Sequence, residues 1–188
     1  MKRMAIFASG NGSNFQAIVD AVKTGELKAE ISLLVSDKPE AYCVKRAEKE
    51  NIPCFTFDPK RFKNKEVYEK MILKKLEEYD IDFIALAGYM RLVGPTLLNP
   101  FEGRIVNIHP SLLPNFPGKD AIGQALAAGV SKTGVTVHYV DEGMDTGQVI
   151  EQRSVEVVDG ETHDSLQQKI QKIEHQLYPF VLNKLLNT

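Results

Sequence analysis

The sequence predicts an α/β fold: a mostly parallel central sheet with an antiparallel edge and helices on both faces. Short, uniformly apolar runs at 4–8, 31–35 and 83–87 have the composition of strands buried on both sides. Segments of helical periodicity separate these runs, which is the β/α alternation of a parallel sheet. The later runs, 133–140 and 148–157, read as strands that pair across an acidic loop with no helix between them, so one edge is mixed.

Composition narrows the class. The chain has 188 residues, 43% hydrophobic and 26% charged, which suits one domain over 1–188 with an ordinary core. A net charge of -2 and a pI near 6.1 give no footprint for nucleic acid or a membrane surface, so small molecules are the expected partners. No run reaches transmembrane length, and the opening apolar stretch is too short for a signal peptide, so a cytoplasmic protein is expected. Cys43 and Cys54 form no CxxC pair, which encodes neither a disulfide framework nor a zinc site.

In chain order, the first strand runs into Ser9-Gly10-Asn11-Gly12-Ser13-Asn14 and then into a helix from Phe15 to Val22. A glycine turn before a helix N-terminus is an anion site, because free amides and the helix dipole converge there. Gly10 and Gly12 begin like a dinucleotide fingerprint, but Phe15 stands where the third glycine belongs. No Gly-Lys-Ser/Thr follows, so a phosphomonoester fits better than NAD or ATP. The alternative is plain strand-to-helix turn chemistry, with Ser13 or Asn14 as N-cap. A strand at 31–35, a helix at 40–51 and a short strand at 54–57 follow. Tyr68, Met71, Ile72, Leu76 and Tyr79 then mark one face of a long helix before the strand at 83–87. Residues 88–95 form a loop in which Met90, Leu92 and Val93 either line an apolar slot or fill core beneath it.

Ile105, Val106 and Ile108 read as the next buried strand, and Pro110 keeps His109 extended, so the strand ends at that histidine. Pro110, Pro114 and Pro117 make the following rim irregular, and 120–129 reads as a helix with Gly129 as its C-cap. Thr162 caps a last helix with Asp164 in its first turn and Leu166, Ile170, Ile173 and Leu177 as its buried stripe; Pro179 is expected to kink or divide it.

Alternation places Asn107 and His109 on one face at the carboxyl end of their strand, where open α/β sheets bind ligands. With Asp145 they form a constellation: an amide donates to a developing oxyanion, an imidazole exchanges protons, and a carboxylate orients the imidazole. No Ser or Cys lies in a nucleophile motif, which favours direct transfer between two bound substrates and attack at a carbonyl. A structural histidine with a turn-forming aspartate is the bland alternative. A metal site from His109 with Asp141 or Asp145 lacks recognisable ligand spacing. The residues alone lead to an α/β enzyme with a phosphate loop.

Four motifs, at 8–14 (Ala-Ser-Gly-Asn-Gly-Ser-Asn), 86–92 (Leu-Ala-Gly-Tyr-Met-Arg-Leu), 107–114 (Asn-Ile-His-Pro-Ser-Leu-Leu-Pro) and 144–147 (Met-Asp-Thr-Gly), resemble those of the phosphoribosylglycinamide formyltransferases, in the same order and across essentially the whole chain. These are the folate-dependent glycinamide ribonucleotide transformylases of de novo purine synthesis, with a Rossmann-like formyltransferase fold. The resemblance implies that 10-formyltetrahydrofolate, a co-substrate used without a metal, gives its formyl group to the amine of the ribonucleotide. It also implies that Asn107 polarises the formyl oxygen, that His109 is the general acid/base and that Asp145 tunes it and relays the proton. Gly12, Ser13 and Asn14 would cradle the phosphate, with Glu174 at the ribose. Met90, Arg91, Leu92 and Val93 would wall the folate pterin together with Asp141, Glu142, Gly143 and Met144. Lys65 matches a position that is often Arg near the folate end. Asp120 and Ile122 depart from histidines found there in some members, and no role is assigned to them.

The same resemblance implies small-molecule partners and a monomer or homodimer. Methionyl-tRNA formyltransferase shares the catalytic motif but adds a barrel domain and a tRNA surface, and formyltetrahydrofolate hydrolase adds a regulatory domain and needs no phosphate cradle. Chain length and the glycine loop weigh against both. A non-catalytic binding protein is disfavoured by the presence of Asn107, His109 and Asp145.

Overall fold

A first strand, β1 (Arg3–Phe7), sends Met4 and Ile6 to one face of the sheet and Ala5 and Phe7 to the other, and all four are buried. This is why its sequence is apolar without alternation. The strands β2 (Glu30–Ser36), β3 (Cys54–Thr56), β4 (Phe83–Leu86) and β5 (Ile105–His109) complete a parallel block, in which β1 pairs with β2 and β4, β2 with β3, and β4 with β5. The strands β6 (Lys132–Tyr139) and β7 (Val149–Glu156) add to it antiparallel, giving a seven-stranded sheet in the order β3-β2-β1-β4-β5-β6-β7. This computed structural model describes all residues, 1–188.

Six helices cover the sheet: α1 (Ser13–Thr24), α2 (Tyr42–Lys49), α3 (Lys65–Glu78), α4 (Pro95–Leu98), α5 (Ala121–Ala128) and α6 (His163–Leu186). Buried side chains of α1, α2, α5 and α6 pack with Met4, Ile6, Val106 and Ile108 on one face. Those of α3 and α4 pack with Ala5, Phe7, Ile84 and Ile105 on the other. The chain steps outward from β1 to β3, then crosses back to lay β4 on the far side of β1. The carboxyl ends of β1 and β4 therefore flank the topological switch point, where a ligand crevice opens in such sheets.

The expected elements are present, with local corrections. The N-cap of α1 is Gly12, in the left-handed region at φ 79°, and no side chain caps the helix, so neither Ser13 nor Asn14 fills that role. Extended backbone at Ala41 delays α2 until Tyr42. A 3-10 turn at Pro59–Arg61 and the four-residue α4 lie in stretches with no readable periodicity. The long α6 runs undivided past Pro179. Its buried face includes Leu166, Ile170, Leu177, Tyr178, Val181 and Leu182, and packing along that length offsets the roughly 3 kcal/mol that an interior proline costs. Ile173 is only half-buried, while Glu174 beside it is buried. No helix is long and apolar enough to cross a membrane.

Candidate active site

The site is assembled at the junction of the parallel block and the antiparallel edge. In β5, Val106 and Ile108 enter the core beneath α6, which turns Asn107 and His109 to the opposite face. Antiparallel pairing sets His138 of β6 opposite Asn107, and Thr136 opposite His109. His138 therefore joins the two expected residues on the same face, a third group that the reading of β6 as a plain alternating strand missed. Its signal was weak: a lone histidine in a strand acquires meaning only once the register with β5 is known.

Hydrogen bonds orient these groups. His138 Nδ1 lies 2.8 Å from the carbonyl oxygen of Tyr139, so in the neutral ring the proton belongs on Nδ1. Nε2 is then an acceptor, and the Asn107 amide nitrogen donates to it at 3.3 Å. This fixes which end of the Asn107 amide carries its N–H groups and leaves the second one for the cleft. His109 is 5% exposed, and its Nε2 lies 2.8 Å from the carbonyl of Phe116, an acceptor that places the neutral ring's proton there. Its Nδ1 faces Asp145 Oδ2 at 3.5 Å, and the other Asp145 oxygen lies 3.7 Å from His138 Nε2. Asp145 stands in the left-handed region at φ 56° and accepts from the amide of Gly118 at 2.9 Å. Burial works to raise its carboxyl pKa, but His138, the Gly118 amide and His109 together outweigh burial and hold it below the ordinary value. Asp145 is thus an anion between two imidazoles.

The acidic loop that carries Asp145 is built on itself. Asp141 Oδ1 accepts from the Gly143 amide at 3.0 Å and from the Thr146 hydroxyl at 2.6 Å. A Cβ on Gly147 would lie 1.7 Å from the carbonyl oxygen of Tyr139, so only glycine lets the chain pass back into β7.

Between this loop and the 88–94 loop lies a cleft of about 560 Å³. Its walls include Met90, Arg91, Leu92 and Val93 on one side and Asp141, Gly143 and Met144 on the other, with Asn107, His109, His138 and Asp145 at its base. Val93 is buried in the core as well, so that part of the loop is both core and wall. Glu142 is exposed and does not line the cleft, and Lys65 lies behind the wall, where its ammonium donates to the carbonyl of Leu92 at 2.7 Å. Asp120, left without a role above, caps α5 by accepting from Gly123 and pairs with His163 at 3.0 Å on the rim.

At the cleft's other end stand Asn14 and Glu174. Burial raises the Glu174 carboxyl to about 7, against a hydrogen bond from Asn14. Gly12 and Ser13 lie beyond the cleft lining, in the turn that starts α1. Because no side chain caps this helix, the amides of Ser13, Asn14 and Phe15 keep their hydrogen-bonding capacity, and the dipole of the twelve-residue helix adds positive potential there. A Cβ on Gly12 would come within 2.6 Å of Cys43 Cβ and 2.9 Å of Cys43 Cα, so α2 packs directly against the turn.

An anion cradle, a cleft and an amide–imidazole–carboxylate cluster at one sheet edge make a site for two substrates, and comparison with known proteins agrees. The Formyl transferase family model matches residues 2–182. The chain belongs to the formyl transferase family. Phosphoribosylglycinamide formyltransferase of Bacillus subtilis is 53% identical to this formyl transferase over 186 residues, covering 99% of this chain and 95% of that protein. The crystal structure of glycinamide ribonucleotide transformylase 1 from Geobacillus kaustophilus superposes with a TM-score of 0.97 at 62% identity, covering 100% of each chain. The trifunctional purine biosynthetic protein adenosine-3 of Drosophila melanogaster is 42% identical over 188 residues; the match takes in 99% of this chain but only 14% of that longer protein.

Proposed function

We infer that this formyl transferase moves the formyl group of 10-formyltetrahydrofolate to the amine of 5'-phosphoribosylglycinamide, giving formylglycinamide ribonucleotide and tetrahydrofolate in purine synthesis. The observation that carries the reading is the convergence of the Asn107–His138–His109–Asp145 cluster with an uncapped helix N-terminus along one continuous crevice. The amides of Ser13 and Asn14, with Gly12 permitting the turn, hold the phosphate, and Glu174 meets the ribose. The folate lies between Met90–Val93 and the Asp141–Met144 loop, so its N10 formyl group meets the amine over Asn107 and His109.

In this arrangement the glycinamide nitrogen attacks the formyl carbon, and the carbonyl electrons move to oxygen. The free N–H of Asn107 stabilises that oxyanion, and His109, its charge balanced by Asp145, contributes a second proton donor. The attacking nitrogen loses a proton as the folate N10 gains one, so the carbon–N10 bond breaks and the balance closes without a metal or a covalent enzyme intermediate. His109 and Asp145 relay that proton. His138 acts by keeping the Asn107 amide turned toward the oxyanion.

The test is formyl transfer assayed with and without glycinamide ribonucleotide, following tetrahydrofolate, formylated ribonucleotide and formate. Tetrahydrofolate release that requires the ribonucleotide and matches product one to one supports the reading. Release without it, accompanied by formate, makes water the acceptor and overturns it.

A further inference from the structure

The two loops that would hold the two substrates leave neighbouring strands, β1 and β4, on either side of the switch point, where nothing in the sheet itself ties them together. One buried residue that neither substrate needs to touch does so. Asp37, the first residue after β2, has a fully buried side chain. Its Oδ1 accepts from the hydroxyl of Ser9, the second residue after β1, and its Oδ2 accepts from Arg91 Nε at 3.1 Å. The Ser9 hydroxyl also accepts from the Met90 amide at 2.9 Å, and the Ser9 amide donates to the Gly88 carbonyl at 3.1 Å. A single carboxylate thus grips the start of the glycine loop and two successive residues of the folate-side loop, one through Ser9 and one directly.

The remaining anchors of the two loops are unequal. The glycine loop is also held by α2: the Cys43 amide donates to Gly10, and Arg46 spans the carbonyl and side chain of Asn11 at 2.8 Å each. The folate-side loop has Lys65 on Leu92 and Glu69, buried, accepting from the Gly94 amide at 2.9 Å, but both act beyond Arg91. Met90 and Arg91, nearest the switch point, depend on Ser9 and Asp37. The charge-assisted Arg91 contact is the stronger arm, and the Asp37 carboxylate has no other cation on it.

We propose that Asp37 is a positioning residue for the folate substrate, holding Met90 and Arg91 in place through Ser9 and the Arg91 guanidinium. The proposal rests on the assignment of the 88–94 loop as a folate wall. It predicts an asymmetric defect. In Asp37→Asn the shape is kept and the charge lost, the KM for 10-formyltetrahydrofolate rises roughly tenfold, and kcat and the ribonucleotide KM stay within about twofold. In a double-mutant cycle with Arg91→Gln the two losses are not additive, because each removes the same contact.

The experiment is steady-state kinetics on wild type, Asp37→Asn, Arg91→Gln and the double variant, varying each substrate at saturation of the other. A rise confined to the folate KM, with a non-additive double variant, supports the proposal. Equal rises in both KM values, a fall in kcat alone or additive losses overturn it, since a general structural role gives those patterns. If Asp37→Asn does not fold, Ser9→Ala removes the neutral arm without burying a new group and is expected to show the same split; an unchanged folate KM there defeats the proposal. A wild type that lacks ribonucleotide-dependent transfer would defeat the functional reading instead, whereas an active wild type with unshifted variants defeats this inference alone.

Discussion

The glycine loop and the β5–β6 pair solve opposite problems with opposite materials. Around Gly12 the groups that matter are backbone amides, and the residue types serve conformation: a left-handed turn at φ 79° and a Cβ-free face against Cys43. Around Asn107 the backbone is ordinary strand, and the groups that matter are side chains, each oriented by a neighbour: Asn107 by His138, His138 by the Tyr139 carbonyl, His109 by Phe116, and Asp145 by Gly118. Backbone amides recognise a charge that does not change during the reaction. Side chains are needed where charge develops and protons move. The comparison teaches that binding of the ribonucleotide and chemistry on it are separable here by mutation.

The largest effect that would break this separation is at the side chains. Replacing Asn107 or His109 by Ala is expected to lower kcat by roughly two to four orders of magnitude. Steady-state rates check this, and near-normal turnover in either variant removes that residue from the mechanism. On the other side, Gly12→Ala forces a Cβ into a left-handed residue, at roughly 1–2 kcal/mol, and against α2. A loss of about tenfold in ribonucleotide affinity is the expected result, with folate affinity unchanged. Calorimetry with each ligand separates that outcome from a folding defect, in which both affinities fall.

Glu174 sharpens the comparison, because it belongs to the ribonucleotide end yet is titratable. Burial lifts its carboxyl from 4.5 to about 7, so between those values the folded state holds a proton that the unfolded chain has released. Stability conferred by the neutral group is therefore full below 4.5 and is lost as pH rises toward 7. Glu174→Gln is expected to remove this slope, leaving the variant less sensitive to pH than wild type across that window; parallel denaturation curves for the two proteins would contradict it. The smallest effect is at Lys65, whose ammonium supports the folate wall from behind through Leu92. Lys65→Ala is expected to raise the folate KM by about two- to threefold, the size of one exposed hydrogen bond, with kcat unchanged.

The same division explains what the sequence made legible. Unbroken apolar strands, the Gly-Asn-Gly turn and the alternation that puts Asn107 beside His109 are local patterns, and the structure contains each of them. His138, Ser9 and Asp37 were not legible, because their roles come from register and crossover: His138 matters through a partner 31 residues away, and Asp37 through partners 28 and 54 away. Pro179 misled for a related reason, since its local cost is overridden by burial along α6, where the Tyr178 hydroxyl also reaches the carbonyl of Leu86 at 2.7 Å. The N-cap was misassigned because Ser and Asn are good caps on average, whereas this helix leaves its first amides unclaimed.

The separation of binding from chemistry is tested most directly by calorimetric titration of glycinamide ribonucleotide into His109→Ala and Gly12→Ala beside wild type. The account predicts a wild-type dissociation constant for His109→Ala, despite its lost turnover, and one weakened about tenfold for Gly12→Ala. Weakened binding in His109→Ala, or wild-type binding in Gly12→Ala, would contradict it.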